Sequence, residues 1–99
     1  MSEELIKRLL ETGKVSLGTE TTIKAIKKGL ARGVLLSSNC PEQRAKEIMD
    51  LAKKSNVRVY MYPGTSLELG EACGKPFPVS AMAIFDYGDA DLSTLEVSE

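Results

Sequence analysis

The run Gly33-Val34-Leu35-Leu36-Ser37 constrains this chain more than any other stretch. Its inner positions are all apolar, with no polar residue at alternate places. A strand of that kind cannot leave one face in water, so it must lie in a sheet covered on both sides. The segments around it predict what supplies the covers. Leu5, Ile6, Leu9 and Leu10 recur at helical spacing, so the first dozen residues read as a helix, with Gly13 ending it as a C-cap glycine. Val15 and Leu17 alternate with polar neighbours and read as a short strand. Gly18-Thr19 opens a second helix. Thr19 is its expected N-cap, Ile23, Ile26 and Leu30 share one face, and Lys27 and Lys28 stand in the last turn.

Pro41 starts a long third helix that turns Ala45, Ile48, Met49 and Ala52 toward the sheet. Val57 to Met61 reads as the third strand. Thr65-Ser66-Leu67-Glu68 is a capping box that opens a short helix ending at Gly74. Ala81 to Phe85 is the fourth strand, Asp86 to Asp89 a turn, and the tail to Leu95 one more helical turn. Helix and strand thus alternate four times. The expected fold is α/β: a three-layer α/β/α sandwich with a mixed sheet of about four strands. With 99 residues there is room for one core, so residues 1–99 read as a single domain.

Composition narrows the chemistry. The chain has no His, which removes the commonest general base and every His-ligated metal site. Cys40 and Cys73 are too few for a zinc cluster and too far apart to read as a redox pair. No metal or other cofactor is expected. No apolar run approaches the roughly 20 residues that span a bilayer, and the acidic start Met-Ser-Glu-Glu shows no export signal, so a cytoplasmic protein with no membrane partner is expected. The net charge of −1 hides an asymmetry. From Met1 to Arg58 there are 12 Lys and Arg against 7 Asp and Glu; from Val59 to Glu99, Lys75 stands alone against 7 acids. A basic face could meet a polyanion, although lysines on a helix-rich half also serve solubility. A pI near 5.5 argues against indiscriminate nucleic-acid binding.

Three connections carry candidate chemistry, since helix N-termini and strand ends are where such folds bind anions. In Leu17 to Lys24, Gly18 permits close approach to the backbone, Thr19, Thr21 and Thr22 offer hydroxyls, and Lys24 can reach a phosphate; the alternative is a capped helix start. In Ser37-Ser38-Asn39-Cys40-Pro41, Asn39 can read a base edge because an amide offers both donor and acceptor, or the Ser residues cap the next helix. Cys40, at a helix N-terminus, is expected to have a depressed thiol pKa. In Gly74-Lys75-Pro76-Phe77-Pro78-Val79, prolines on either side hold an aromatic ring still beside a lysine. Unpaired RNA bases stack on such a ring; the alternative is a Phe77 folded over the core.

Taken together, these stretches resemble a known family. The carrying motifs are Thr12-Gly13-Lys14 to Gly18, the helix to Lys24, Asn39, Gly64-Thr65-Ser66-Leu67-Glu68-Leu69-Gly70 and Gly74-Lys75-Pro76-Phe77-Pro78-Val79. From about Leu5 to Leu95 the chain is similar to the kink-turn RNA-binding family of ribosomal proteins, in its large-subunit protein-thirty group, which shares the family with the archaeal L-seven-Ae protein. The lean length suits the archaeal form. The resemblance implies that the three loops lie side by side on one edge and clamp a kink-turn, an RNA helix interrupted by an asymmetric internal loop. Carried over, Gly18, Thr19, Glu20, Thr21, Lys24, Asn39 and Phe77 would meet the RNA, with Arg44 and Lys75 as basic positions near the site. The sequence departs from the pattern at Glu20, where ribosomal members usually carry Lys or Arg and the L-seven-Ae group carries Asn. Thr21 stands where that second group carries Glu. A carboxylate beside phosphates costs binding unless it accepts from a guanine edge.

The implied function is non-enzymatic: a structural constituent of the large subunit of the cytoplasmic ribosome. Its partners would be ribosomal RNA and neighbouring large-subunit proteins, and it would be a monomer when free. Two alternatives stand beside it. One is a stand-alone kink-turn binder of guide ribonucleoproteins, against which the Glu20-Thr21 departure speaks. The other is a small phosphate-handling enzyme using the Gly18-Thr19 turn and Cys40, weakened by the lack of His and of paired carboxylates in one loop.

Overall fold

In chain order, the computed structural model, which describes residues 2–98, has α1 Ser2–Thr12, β1 Lys14–Leu17, α2 Thr19–Lys27, β2 Gly33–Leu36, α3 Glu42–Lys54, β3 Arg58–Met61, α4 Ser66–Ala72 and β4 Ala81–Asp86. A 3₁₀ turn, Leu92–Thr94, and a short strand, β5 Glu96–Ser98, follow. The strands form one mixed sheet in the order β1-β4-β2-β3-β5. The central strand β2 is buried at every position, as its unbroken apolar run requires.

Alternate residues of the sheet feed two cores. Leu35, Tyr60, Met82 and Ile84 pack with Ile6 and Leu9 of α1, with Leu69 of α4 and with Cys73 just past its end. Val34, Leu36, Val59, Ala81 and Ala83 pack with Ile23 and Ile26 of α2 and Ile48 and Ala52 of α3. The three-layer sandwich follows from that period-two division. The small Ala81 and Ala83 let α2 lie close on β4, while the larger Met82 and Ile84 fill the opposite side.

Four local expectations differ. Gly18, not Thr19, is the N-cap of α2, and no side chain caps that end. Gly18 sits at φ 115°, a conformation closed to side chains, and Thr19 already belongs to the helix. Leu30 lies beyond the end of α2 and is 57% exposed, because the helix stops at Lys27 and the chain turns away at Lys28-Gly29. Gly13 is not a left-handed C-cap. Its lack of a side chain instead lets the end of α1 pass against the Asp86 carbonyl. The tail does more than make a helical turn, because β5 pairs antiparallel with β3 and covers the edge that β3 would otherwise leave open.

The direction of the strands positions the loops. β2 and β3 run parallel, and β4 runs antiparallel to both β1 and β2. β1, β2 and β3 therefore end, and β4 begins, at the same end of the sheet. The register agrees: Leu17 and Leu36, the last residues of β1 and β2, pair with Met82 and Ala81, the first of β4.

Candidate nucleic-acid interface

Backbone hydrogen bonds bring the three candidate connections together at this end of the sheet. Leaving β1, the Gly18 N–H donates to the Ala81 carbonyl at 2.8 Å. Leaving β2, the Ser37 N–H donates to the Ser80 carbonyl at 2.9 Å and the Ser38 N–H to the Gly64 carbonyl at 2.9 Å. The Val79 N–H donates to the Ser66 carbonyl at 2.9 Å, which pins the loop before β4 to the first turn of α4.

Two of the three hydroxyls at the turn into α2, those of Thr21 and Thr22, point back onto its own backbone. The Thr21 hydroxyl donates to the Leu17 and Gly18 carbonyls at 2.8 and 3.1 Å, and Thr22 to the Gly18 carbonyl at 2.6 Å. The threonines thus lock the turn from within. What faces outward is an uncapped helix N-terminus with its positive dipole end, followed by the exposed Lys24 one turn along. Among the described residues Lys24 makes no ion pair. Glu20, beside it, lies 3.9 Å from Arg44 of α3, which also stands 3.6 Å from Glu47. Both pairs are exposed and each is worth at most about 1 kcal/mol. Their consequence is electrical: the Glu20 carboxylate has a guanidinium beside it, so the loop is less negative than its sequence suggests.

Asn39 has a role that no local signal in the sequence disclosed. Its Oδ1 accepts the Ser66 N–H at 2.7 Å and the Ser37 hydroxyl at 3.2 Å. Asn39 thereby supplies a cap to α4 from 27 residues away. It joins the cap sequence reasoning did find, the reciprocal box in which the Glu68 N–H donates to Thr65 Oγ1 and the Thr65 N–H to Glu68. These bonds hold the Glu68 carboxyl below its ordinary pKa. The α3 start is not capped by Ser37 or Ser38; Pro41 occupies the N-cap position without a side-chain bond. Both acceptor sites of the Asn39 amide oxygen are taken, and the residue is exposed. Its Nδ2 carries no hydrogen bond to another described residue, so what it offers is two donors.

The Phe77 ring is 49% exposed, which separates it from the core reading. Its backbone is fixed instead. The Phe77 carbonyl packs against Gly70 so closely that a Cβ there would fall on the oxygen. Gly70 therefore lets the Pro-braced loop lie flat on α4, and the Lys75 N–H donates to the Gly70 carbonyl at 2.9 Å. The Lys75 side chain is exposed. Gly18, Thr19, Glu20, Thr21, Asn39, Arg44, Lys75 and Phe77 thus belong to one connected set of loops and helix starts, with Lys24 on the helix that leaves it.

The thiols oppose the phosphate-handling enzyme reading, which draws on Cys40. Burial pushes the Cys40 thiol up rather than down, because it packs against the core beneath α2 and α3 and loses solvation there. Burial likewise raises Cys73 to about 11, against a smaller pull from Lys75. Among the described residues no three His, Cys, Asp or Glu side chains lie close enough to hold a metal ion.

Residues 1–93 match the model of the ribosomal protein L7Ae/L30e/S12e/Gadd45 family. Large ribosomal subunit protein eL30 of Methanopyrus kandleri is 42% identical over 90 residues, covering 91% of this chain and 83% of the relative. The eL30 of Archaeoglobus fulgidus is 45% identical over 82 residues, covering 83% and 91%. That of Neurospora crassa is 44% identical over 84 residues, covering 85% and 77%.

Proposed function

Since this chain belongs to the ribosomal protein L7Ae/L30e/S12e/Gadd45 family, we propose that it is a structural constituent of the large ribosomal subunit in the cytoplasm, that it is not an enzyme, and that it grips a kink-turn in ribosomal RNA. The observation that carries the RNA reading is the convergence of the Gly18 turn, Asn39 and the Phe77 loop at one end of the sheet, laced by the Gly18–Ala81, Asn39–Ser66 and Ser66–Val79 bonds.

Each element has a distinct task in this reading. The uncapped start of α2 and Lys24 meet phosphates crowded at the bend, the first with its N–H dipoles and the second with an ammonium. Arg44 holds the Glu20 carboxylate and reduces its repulsion of the RNA backbone. Asn39, with its oxygen already engaged, presents donors alone. It therefore selects an edge of acceptors, as the guanine O6 and N7 supply, over adenine, which needs a donor and an acceptor together. Phe77 offers an exposed face on a stiff loop for one splayed base. Little has to be ordered on binding, because the loops are already tied to one another.

An electrophoretic shift with a kink-turn RNA and with its straightened mutant tests this reading. Retarded migration of the kinked RNA at protein concentrations that leave the straight one free is expected. Equal retardation of both would reduce the site to a phosphate-binding surface and end the kink-turn reading.

A further inference from the structure

Two acids of the second half of the chain, Asp89 and Asp91, meet Glu4 of α1 at a second feature, which the RNA reading does not use. A groove with a cavity volume of about 990 Å³ runs between α1, the exit of β3 and the 92–94 turn. Leu5, Tyr62 and Leu95 give it an apolar lining, and Glu4, Asp89 and Asp91 stand on its walls. Arg8 is the only cation there. Among the described residues no ion pair engages any of the three carboxylates, since the ion pairs present belong to Arg44. Apolar surface set among unpaired negative charge repels phosphates and suits a ligand with the opposite charge and its own apolar side chains.

We propose that this groove docks a basic peptide segment of another protein, an extended stretch in which Arg or Lys alternates with large aliphatic residues. Charge complementarity fixes the choice: three acids against one cation would be neutralised by such a segment and by no nucleic acid. Alternation matters because an extended chain presents successive side chains to opposite sides, aliphatic ones to the floor and cations to the rim. Ser38, next to Asn39, also lines the groove, so a bound segment would pass beside the loops of the other site. The proposal does not rest on the RNA reading.

The test is titration of the full chain with a labelled decapeptide of alternating Arg and Leu, followed by fluorescence anisotropy and by amide shifts in NMR. Saturable binding with shifts at Leu5, Tyr62 and Leu95 is expected. The double variant Glu4→Gln/Asp89→Asn should weaken it at least about threefold, as loss of two exposed charge pairs does, with RNA affinity unchanged. A control pair on α3, Glu42→Gln/Asp50→Asn, should leave peptide affinity as it was. Equal weakening by the control pair, equal binding by the double variant, binding of the Glu-Leu analogue with the same affinity, or no binding of the Arg peptide would each overturn the proposal. So would sedimentation showing that a second copy of this chain fills the groove.

Discussion

Replacing Asn39 separates two roles that the structure assigns to different atoms of one amide. Asn39→Ala removes the acceptor of the Ser66 N–H and of the Ser37 hydroxyl. Loss of a helix cap costs about 1 kcal/mol, and the second, longer bond adds little because it is already 3.2 Å. For a domain of this size about 1 kcal/mol lowers the melting temperature by roughly 4–8 °C. Asn39→Asp has the opposite sign on stability. Its carboxylate oxygen can still accept from Ser66, now as a charged acceptor at the positive end of α4, which contributes about 0.3–1 kcal/mol. On RNA both variants lose the two Nδ2 donors, at about 1–3 kcal/mol, or roughly 5- to 150-fold in affinity. The aspartate adds like-charge repulsion. Thermal melts and filter binding at one fixed salt concentration read the two effects on the same samples. Asn39→Asp should melt no lower than wild type and bind worst. If it binds kink-turn RNA as well as wild type, the donors are not in the interface. If Asn39→Ala melts unchanged, the long-range cap contributes nothing.

Three further outcomes follow from other residues. Lys24→Ala should weaken RNA binding by about 1 kcal/mol and reduce the slope of log affinity against log salt by about one unit; an unchanged slope would place Lys24 off the interface. Phe77→Ala should cost about 1–3 kcal/mol of RNA affinity with an almost unchanged melting temperature. A fall in stability of the 3–5 kcal/mol typical of a core phenylalanine would mean that its half-exposed ring is a packing residue after all. Cys73, raised by burial from 9.0 to about 11, makes folding sensitive to alkali. Its contribution is complete below pH 9, where the thiol is neutral in both states, and is lost as pH rises to about 11, because the unfolded chain releases the proton first. Urea midpoints of wild type should therefore fall more steeply over that window than those of Cys73→Ala; parallel curves would refute the assignment.

Much of this architecture can be read locally, because the features that fix it are local. The unbroken apolar run of β2 demands cover on both faces, and the Thr65–Glu68 box marks the start of α4 within four residues. The insertion of β4, antiparallel, between β1 and β2 cannot be read that way, since its paired residues lie 45 to 72 positions away and an alternating pattern carries no direction. The same holds for β5, whose three residues become a strand because the edge of β3 is there to receive them. In the site, Gly18 and Phe77 were visible as a glycine at a helix start and an aromatic between prolines. The orientation of the Asn39 amide was not, because it depends on Ser66, and neither was the pairing of Glu20 with Arg44 across two helices. Cys40 departs from its sequence context for a related reason: a helix N-terminus lowers a thiol pKa, but burial raises it, and burial of one side chain is invisible in the sequence.

The claim that one end of the sheet grips RNA is tested most directly by mapping backbone amides in the presence of a kink-turn RNA. The account predicts that the shifted and protected amides fall at Gly18 to Lys24, at Ser38 and Asn39, and at Lys75, Phe77, Val79 and Ser80. It predicts that Gly13 and Gly88, which meet each other's neighbours at the opposite end of the sheet, stay unmoved. Shifts centred on Gly13 and Gly88, with Gly18, Asn39 and Phe77 silent, would contradict it.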